Sequence, residues 1–140
     1  MGHVPAGPVP AEGQDHELPR RKHRRARARN RALANRRVAR LGEELAARYL
    51  ADRGADIVGR NVRSGRGEID ILARFPDALV AVEVKTRVGA GDPRQAYTKE
   101  KSDNVRRALG GLRPRPSRVD LVAVSLTATG ADLRWIPAVG

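Results

Sequence analysis

The stretch from Gly67 to Arg87 reads GEIDILARFPDALVAVEVKTR, and its pattern decides the fold. Two strand-like runs, Glu68 to Arg74 and Ala78 to Thr86, are separated by Phe75-Pro76-Asp77, whose composition turns the chain back on itself. A further run, Ala55 to Arg63, precedes them across Ser64-Gly65-Arg66-Gly67. Such short links predict an antiparallel meander. Leu79 to Val84 is apolar throughout except for Glu83, which predicts a central strand covered on both faces. The strand period of two sets Glu83 and Lys85 side by side on one face, with Val82 and Val84 on the other. A charge that deep in a sheet is costly unless it is paired or metal-bound, and one Lys two residues away does not justify it alone.

Outward from this core, Val38, Leu41, Leu45 and Tyr49 are spaced for the buried face of a helix running from near Val38 to about Asp52, where Gly54 ends it. On that helix Glu43 sits beside Leu50 at the edge of the apolar stripe, whereas Glu44 points towards water and Arg48. Downstream, Gly89-Ala90-Gly91-Asp92-Pro93 reads as a loop, followed by a helix from Thr98, a candidate N-cap, to Leu109, stopped by Gly110-Gly111. Arg118 to Leu126 and Leu133 to Ile136 complete the strands. The order α-β-β-β-α-β-β predicts an α/β fold with a mixed central sheet flanked by helices.

The chain has 140 residues, enough for one compact domain. Its 28 Lys and Arg against 16 Asp and Glu leave a net charge of +12, which favours polyanionic partners. Eleven of those basic residues fall between positions 20 and 40, which hold no acid. Residues 1–37 are therefore expected to be a disordered, basic extension, with the stretch from Arg20 to Arg40 a flexible arm able to order on a phosphate backbone, and residues 38–140 to be the folded domain. The absence of Cys excludes disulfides, Cys-ligated zinc, iron–sulfur clusters and a thiol nucleophile. The three His residues, at positions 3, 16 and 23, all lie in the extension, so chemistry in the domain falls to carboxylates, Lys, hydroxyls and water. No apolar run approaches the roughly 20 residues of a membrane span, and the N-terminus lacks the order of a secretory signal, so a cytoplasmic protein without a membrane partner is expected.

Asp70, on the strand before Glu83, is expected to share its face. Two carboxylates on neighbouring strands, with a third from Glu43, make an oxygen-rich cage suited to Mg²⁺ or Mn²⁺. The candidate metal set is Asp70, Glu83, Glu43 and Val84. Asp70, Glu83 and Lys85 are the candidate catalytic residues: a metal-bound water becomes the better nucleophile, and Lys85 orients it or stabilises charge on the pentavalent phosphorus. The competing structural reading is an ion-pair cluster that holds the sheet. Arg87, Arg94, Lys99, Lys101, Arg106 and Arg107 flank this region as candidate phosphate contacts, with Arg87, Lys101 and Arg106 preferred. Asp120 reads as a structural cap or a supporting acid, and Trp135 as core.

Gly67-Glu68-Ile69-Asp70 followed by Val82-Glu83-Val84-Lys85-Thr86-Arg87 resembles the PD-(D/E)xK nuclease superfamily and, more closely, the YraN family of small bacterial proteins. The resemblance spans about residues 41 to 136. It includes Gly42-Glu43, Leu45-Ala46-Ala47-Arg48-Tyr49-Leu50, Arg60-Asn61, Thr98 with Lys101, and Val119-Asp120-Leu121-Val122. It implies a restriction-endonuclease-like fold related to Holliday-junction resolvases, with Asp70 and Glu83 as metal ligands, Lys85 as the catalytic lysine and Glu43 as a helix-borne acid. Where the superfamily carries Pro before its Asp, this chain has Ile69.

The leading expectation is a metal-dependent, structure-selective endonuclease on nucleic acid, with branched DNA preferred. Its alternatives are a non-catalytic nucleic-acid-binding module built on the same fold and arm, and a partner-binding protein whose basic tail docks acidic surfaces. One Trp, two Tyr and one Phe supply few platforms for stacking single-stranded bases, which favours backbone or shape recognition. A homodimer is a candidate assembly because two sites would then cut two strands, although no coiled-coil pattern specifies one.

Overall fold

The computed structural model describes residues 20–65, 67–89 and 99–139, with Arg20 and residues 99–101 as backbone only. The expectations placed on residues 1–19, on the loop residues 90–93, on Arg94 and on the Thr98 cap lie outside the described residues, as do the side chains of Lys99 and Lys101. The elements run α1 (Arg20–Asp52), β1 (Asp56–Ser64), β2 (Gly67–Phe75), β3 (Ala78–Val88), α2 (Lys99–Gly110), β4 (Arg118–Thr127) and β5 (Gly130–Ile136). By internal contacts the chain divides into two units, Met1–Ala34 and Asn35–Gly140. The second holds the sheet.

Helix α1 starts at Arg20, well before the position near Val38 that the apolar spacing marks. Arg and Ala are strong helix formers, and extending an existing helix is far cheaper than nucleating one. Side chains 21–37 are all exposed, as their lack of an apolar face requires. The buried stripe also differs from the expected one. Leu41 is 49 % exposed and Val38, Leu45 and Tyr49 are half-buried, while Ala46, Ala47 and Leu50 are buried. The reason lies one residue on from Leu41: a Cβ on Gly42 would stand 1.6 Å from the Thr86 Oγ1, so the helix meets β3 through its smallest residues. Gly54, at φ 95°, closes the helix.

The five strands form one mixed sheet in the order β1-β2-β3-β4-β5. β1, β2 and β3 are the antiparallel meander, β3 and β4 are parallel, and β5 returns antiparallel to β4. A parallel neighbour demands a long crossover, and α2 lies in the one joining β3 to β4. β3 is central and is packed on both faces. On one side Val80, Val82 and Val84 pack with Ala46, Ala47 and Leu50 of α1 and with Ile71 and Val122. On the other, Ala81 joins Ile69, Val119 and the α2 residues Val105, Ala108 and Leu109. Each fully buried Val or Ile stabilises the fold by roughly 1.5–3 kcal/mol, so the two layers together fix β3 in place. α2 comes close because Gly67 leaves space: a Cβ there would lie 2.2 Å from the Asn104 carbonyl. Among the described residues no helix is long and apolar enough to cross a membrane.

Candidate active site

The pairing of β2 with β3 stops at one level, and the proposed acids gather there. The register pairs Ile71 with Val82, and the β2–β3 pairing runs from there to the Phe75–Ala78 turn, ending before Asp70. Ile69 packs on the α2 side and Ile71 on the α1 side, although a period of two would put both on one face. β2 therefore changes face at Asp70. β1 keeps its register across this level, with Arg60 against Ile71 and Val62 against Ile69, and Asn61 between them takes φ 49°; its register shift lies between Ile57 and Gly59. Asn tolerates this left-handed conformation better than most residues. Across the gap left by β2, the Asp70 Oδ2 accepts the Val84 N–H at 2.8 Å.

This parting of the strands opens onto a cavity of about 450 Å³ lined by Asn35, Val38, Ala39 and Glu43 of α1, by Asp70 of β2, and by Val84, Lys85 and Thr86 of β3. Three elements thus bring Glu43, Asp70, Val84 and Lys85 to one space. Glu43 and Asp70 are half-buried, Lys85 is exposed, and Glu83 is 6 % exposed within β3 and is not part of the cavity's lining. Glu44 faces outward as expected, though its partner is Arg60 of β1 rather than Arg48. Arg87 and Arg106 are both exposed.

The donor set on the cavity is oxygen-rich and free of sulfur and imidazole, which suits Mg²⁺ or Mn²⁺ better than softer metals. Among the described residues, no three His, Cys, Asp or Glu side chains stand together as a ready-made cage. Mg²⁺ characteristically uses one or two carboxylates and keeps several waters, so Glu43 and Asp70 on one cavity fit its chemistry without a third.

A second buried acid behaves differently. Asp120 is 0 % exposed and accepts from Arg118 Nε at 3.0 Å and Nη2 at 3.3 Å, from the Trp135 indole at 2.9 Å and from the Ala138 N–H at 2.9 Å. Its hydrogen bond holds the Arg118 guanidinium above its ordinary value. Asp120 is thus the structural one of the two readings its sequence position left open. Trp135 is half-buried rather than core, stacked on Phe75 at 5.5 Å between ring centroids.

Sequence reasoning passed over Thr86, whose Oγ1 is buried with no hydrogen-bond partner among the described residues, and Asn61, whose role is its backbone. The signal for the second was legible as an Asn interrupting a strand; the first needs the helix–strand approach to be seen.

The family model described as Uncharacterised protein family UPF0102 matches residues 42–124. The chain is 44 % identical over 106 residues to the UPF0102 protein SCO5602 of Streptomyces coelicolor, covering 69 % of this chain and 82 % of that one. It is also 44 % identical over 105 residues to a UPF0102 protein of Streptomyces griseus, covering 69 % and 88 % of the two chains. A more distant UPF0102 protein, from Dictyoglomus turgidum, is 33 % identical over 111 residues, covering 74 % of this chain and 94 % of its own. The matched region begins at the glycine that seats α1 on β3 and contains Glu43, Asp70, Glu83 and Lys85, and on that footing this chain belongs to the UPF0102 family, the YraN family its motifs resemble.

Proposed function

We propose that this protein is a Mg²⁺- or Mn²⁺-dependent, structure-selective endonuclease that hydrolyses phosphodiester bonds in branched DNA. The observation that carries the reading is the convergence of Glu43, Asp70 and Lys85, from a helix and two strands, on one cavity at the break in sheet pairing. Glu43 and Asp70 would hold the ion from the cavity wall beside Val84, with Glu83, buried one residue along β3, as the further acid of the set; when bound, the ion supplies an acidified water and neutralises phosphate charge. Lys85 contributes what the chain itself brings to the reacting phosphate, an ammonium at the cavity wall that offsets charge developing on phosphorus. The Asp70 hydrogen bond to Val84 fixes one oxygen of a carboxylate that lines the cavity. Arg87 and Arg106, both exposed, would supply contacts to backbone phosphates, which position a substrate without reading its sequence.

A second reading, nucleic-acid binding without turnover, is favoured by one observation: the described carboxylates do not form a three-membered cage. The two separate in a single assay. The purified chain is incubated with labelled duplex, four-way junction, flap and single-stranded DNA in Mg²⁺ or Mn²⁺, alongside Glu83→Ala and Lys85→Ala. Metal-dependent cleavage, lost in both variants, is the expected result. Salt-sensitive binding without cleavage under either metal, unchanged in Glu83→Ala, would establish the binding module instead.

A further inference from the structure

The basic segment at the start of α1 is a helix, and that changes what it can bind. Between Arg21 and Ala34 there are seven Lys or Arg and no acid, and every described side chain is exposed. At about 100° per residue these seven spread over roughly 220° of the helix circumference. The remaining arc mixes His23 and Asn30 with Ala26, Leu33 and Ala34. It therefore offers no continuous apolar face to lie in a lipid interface, which such helices need. The segment also lies outside residues 42–124, the region shared with the family model, so its function is separable from that of the cavity.

A narrow cationic stripe suits one open wall of phosphates. An arc of this width suits a channel with phosphates on both sides, and the major groove of B-form DNA, about 12 Å wide, is such a channel and admits an α-helix. The major groove of A-form RNA is deep and narrow and does not admit one. We propose that residues 21–34 are a duplex-DNA-binding arm that lies as a helix in the major groove and grips both phosphate walls, independently of base sequence. This rests on the nucleic-acid reading above and deepens it by giving residues 21–34 a role of their own, the grip on the duplex part of the substrate. With Arg and Lys heads on flexible stems and only His23 and Asn30 able to accept a hydrogen bond between residues 21 and 34, the arm secures the substrate rather than selecting a site.

The test uses the full chain and the variant Arg24→Gln/Arg25→Gln/Arg27→Gln/Arg29→Gln/Arg31→Gln, with metal chelated so that cleavage plays no part. Gln keeps helix propensity close to that of Arg, and circular dichroism confirms that helix content is retained. Binding is measured to duplex DNA and to duplex RNA of one sequence across a salt series, and to phosphatidylserine–phosphatidylcholine vesicles. The native chain should prefer duplex DNA by at least about tenfold. The variant should lose that preference, with the slope of log affinity against log salt shallower by two or more, at about 0.9 per phosphate contact removed. Equal binding of RNA and DNA by the native chain, unchanged DNA binding by the variant, or Arg-dependent capture by vesicles in place of DNA would each overturn the proposal. An arm that binds DNA in a protein that cleaves nothing would overturn only the nuclease reading.

Discussion

Two acids sit within the sheet two strands apart, and the protein treats them in opposite ways. Asp120 on β4 is sealed from water and held by donors from Arg118, Trp135 and the main chain of Ala138, so its charge ties β4, β5 and the chain end together. Asp70 on β2 takes the Val84 N–H, lies where the β2–β3 ladder stops, and borders a cavity shared with Glu43 and Lys85. An acid that exists to stabilise a fold is best surrounded completely, because every unsatisfied lone pair or donor in a dry interior costs free energy. An acid that exists to meet a ligand has to border open space, and the surrounding ladder has to be interrupted to provide it. The contrast teaches that burial alone does not mark a candidate functional carboxylate; what distinguishes Asp70 is its half-buried place beside a break in the sheet.

Removing Asp120 should produce the largest effect on stability. Asp120→Ala leaves the Trp135 indole and the Ala138 N–H without their acceptor and strips Arg118 of its partner, at a cost of roughly 3–5 kcal/mol. Thermal melting followed by circular dichroism should fall by on the order of 15 °C. A variant melting close to the native protein would erase the distinction between the two acids.

A smaller effect should appear where α1 meets the cavity side of the sheet. Gly42→Ala drives a methyl into the Thr86 side chain and should cost about 1–3 kcal/mol, read as a lower urea midpoint. In a Thr86→Ala background the same change should cost less, because two of the three crowded atoms are gone, and the coupling measures the contact directly. Additive losses would mean that Gly42 does not seat the helix, and that Glu43 reaches the cavity for another reason.

Most of the fold was legible. The meander, the two-sided central strand and the α-β-β-β-α-β-β order follow from runs whose period and turn residues agree, and the observed strands differ from the expected ones by a few residues at their ends. Helix α1 was less so on two counts. Its N-terminal half has no buried face, so hydrophobic periodicity carries no signal for it, and its packing stripe rests on Gly42, Ala46 and Ala47, which an eye trained on Leu and Val discounts. The residues that line the cavity in β2, β3 and the folded part of α1 include four of the candidates the sequence offered, Glu43, Asp70, Val84 and Lys85. The separation of Glu83 from that cavity was not legible, since it depends on α1 packing against the Val82 and Val84 face of β3, a non-local choice.

The most direct test of the account is Asp70→Asn, which keeps an oxygen for the Val84 N–H and removes only the charge that faces the cavity. Single-turnover cleavage of a labelled four-way junction in Mn²⁺ would be measured beside a thermal melt. The account predicts a melting temperature within about 4 °C of the native protein, a change of less than about 1 kcal/mol, together with cleavage reduced by about 10³-fold or more. A variant that cleaves at the native rate, or that melts as early as Asp120→Ala, would contradict it, and Asp70 would then be a second structural acid.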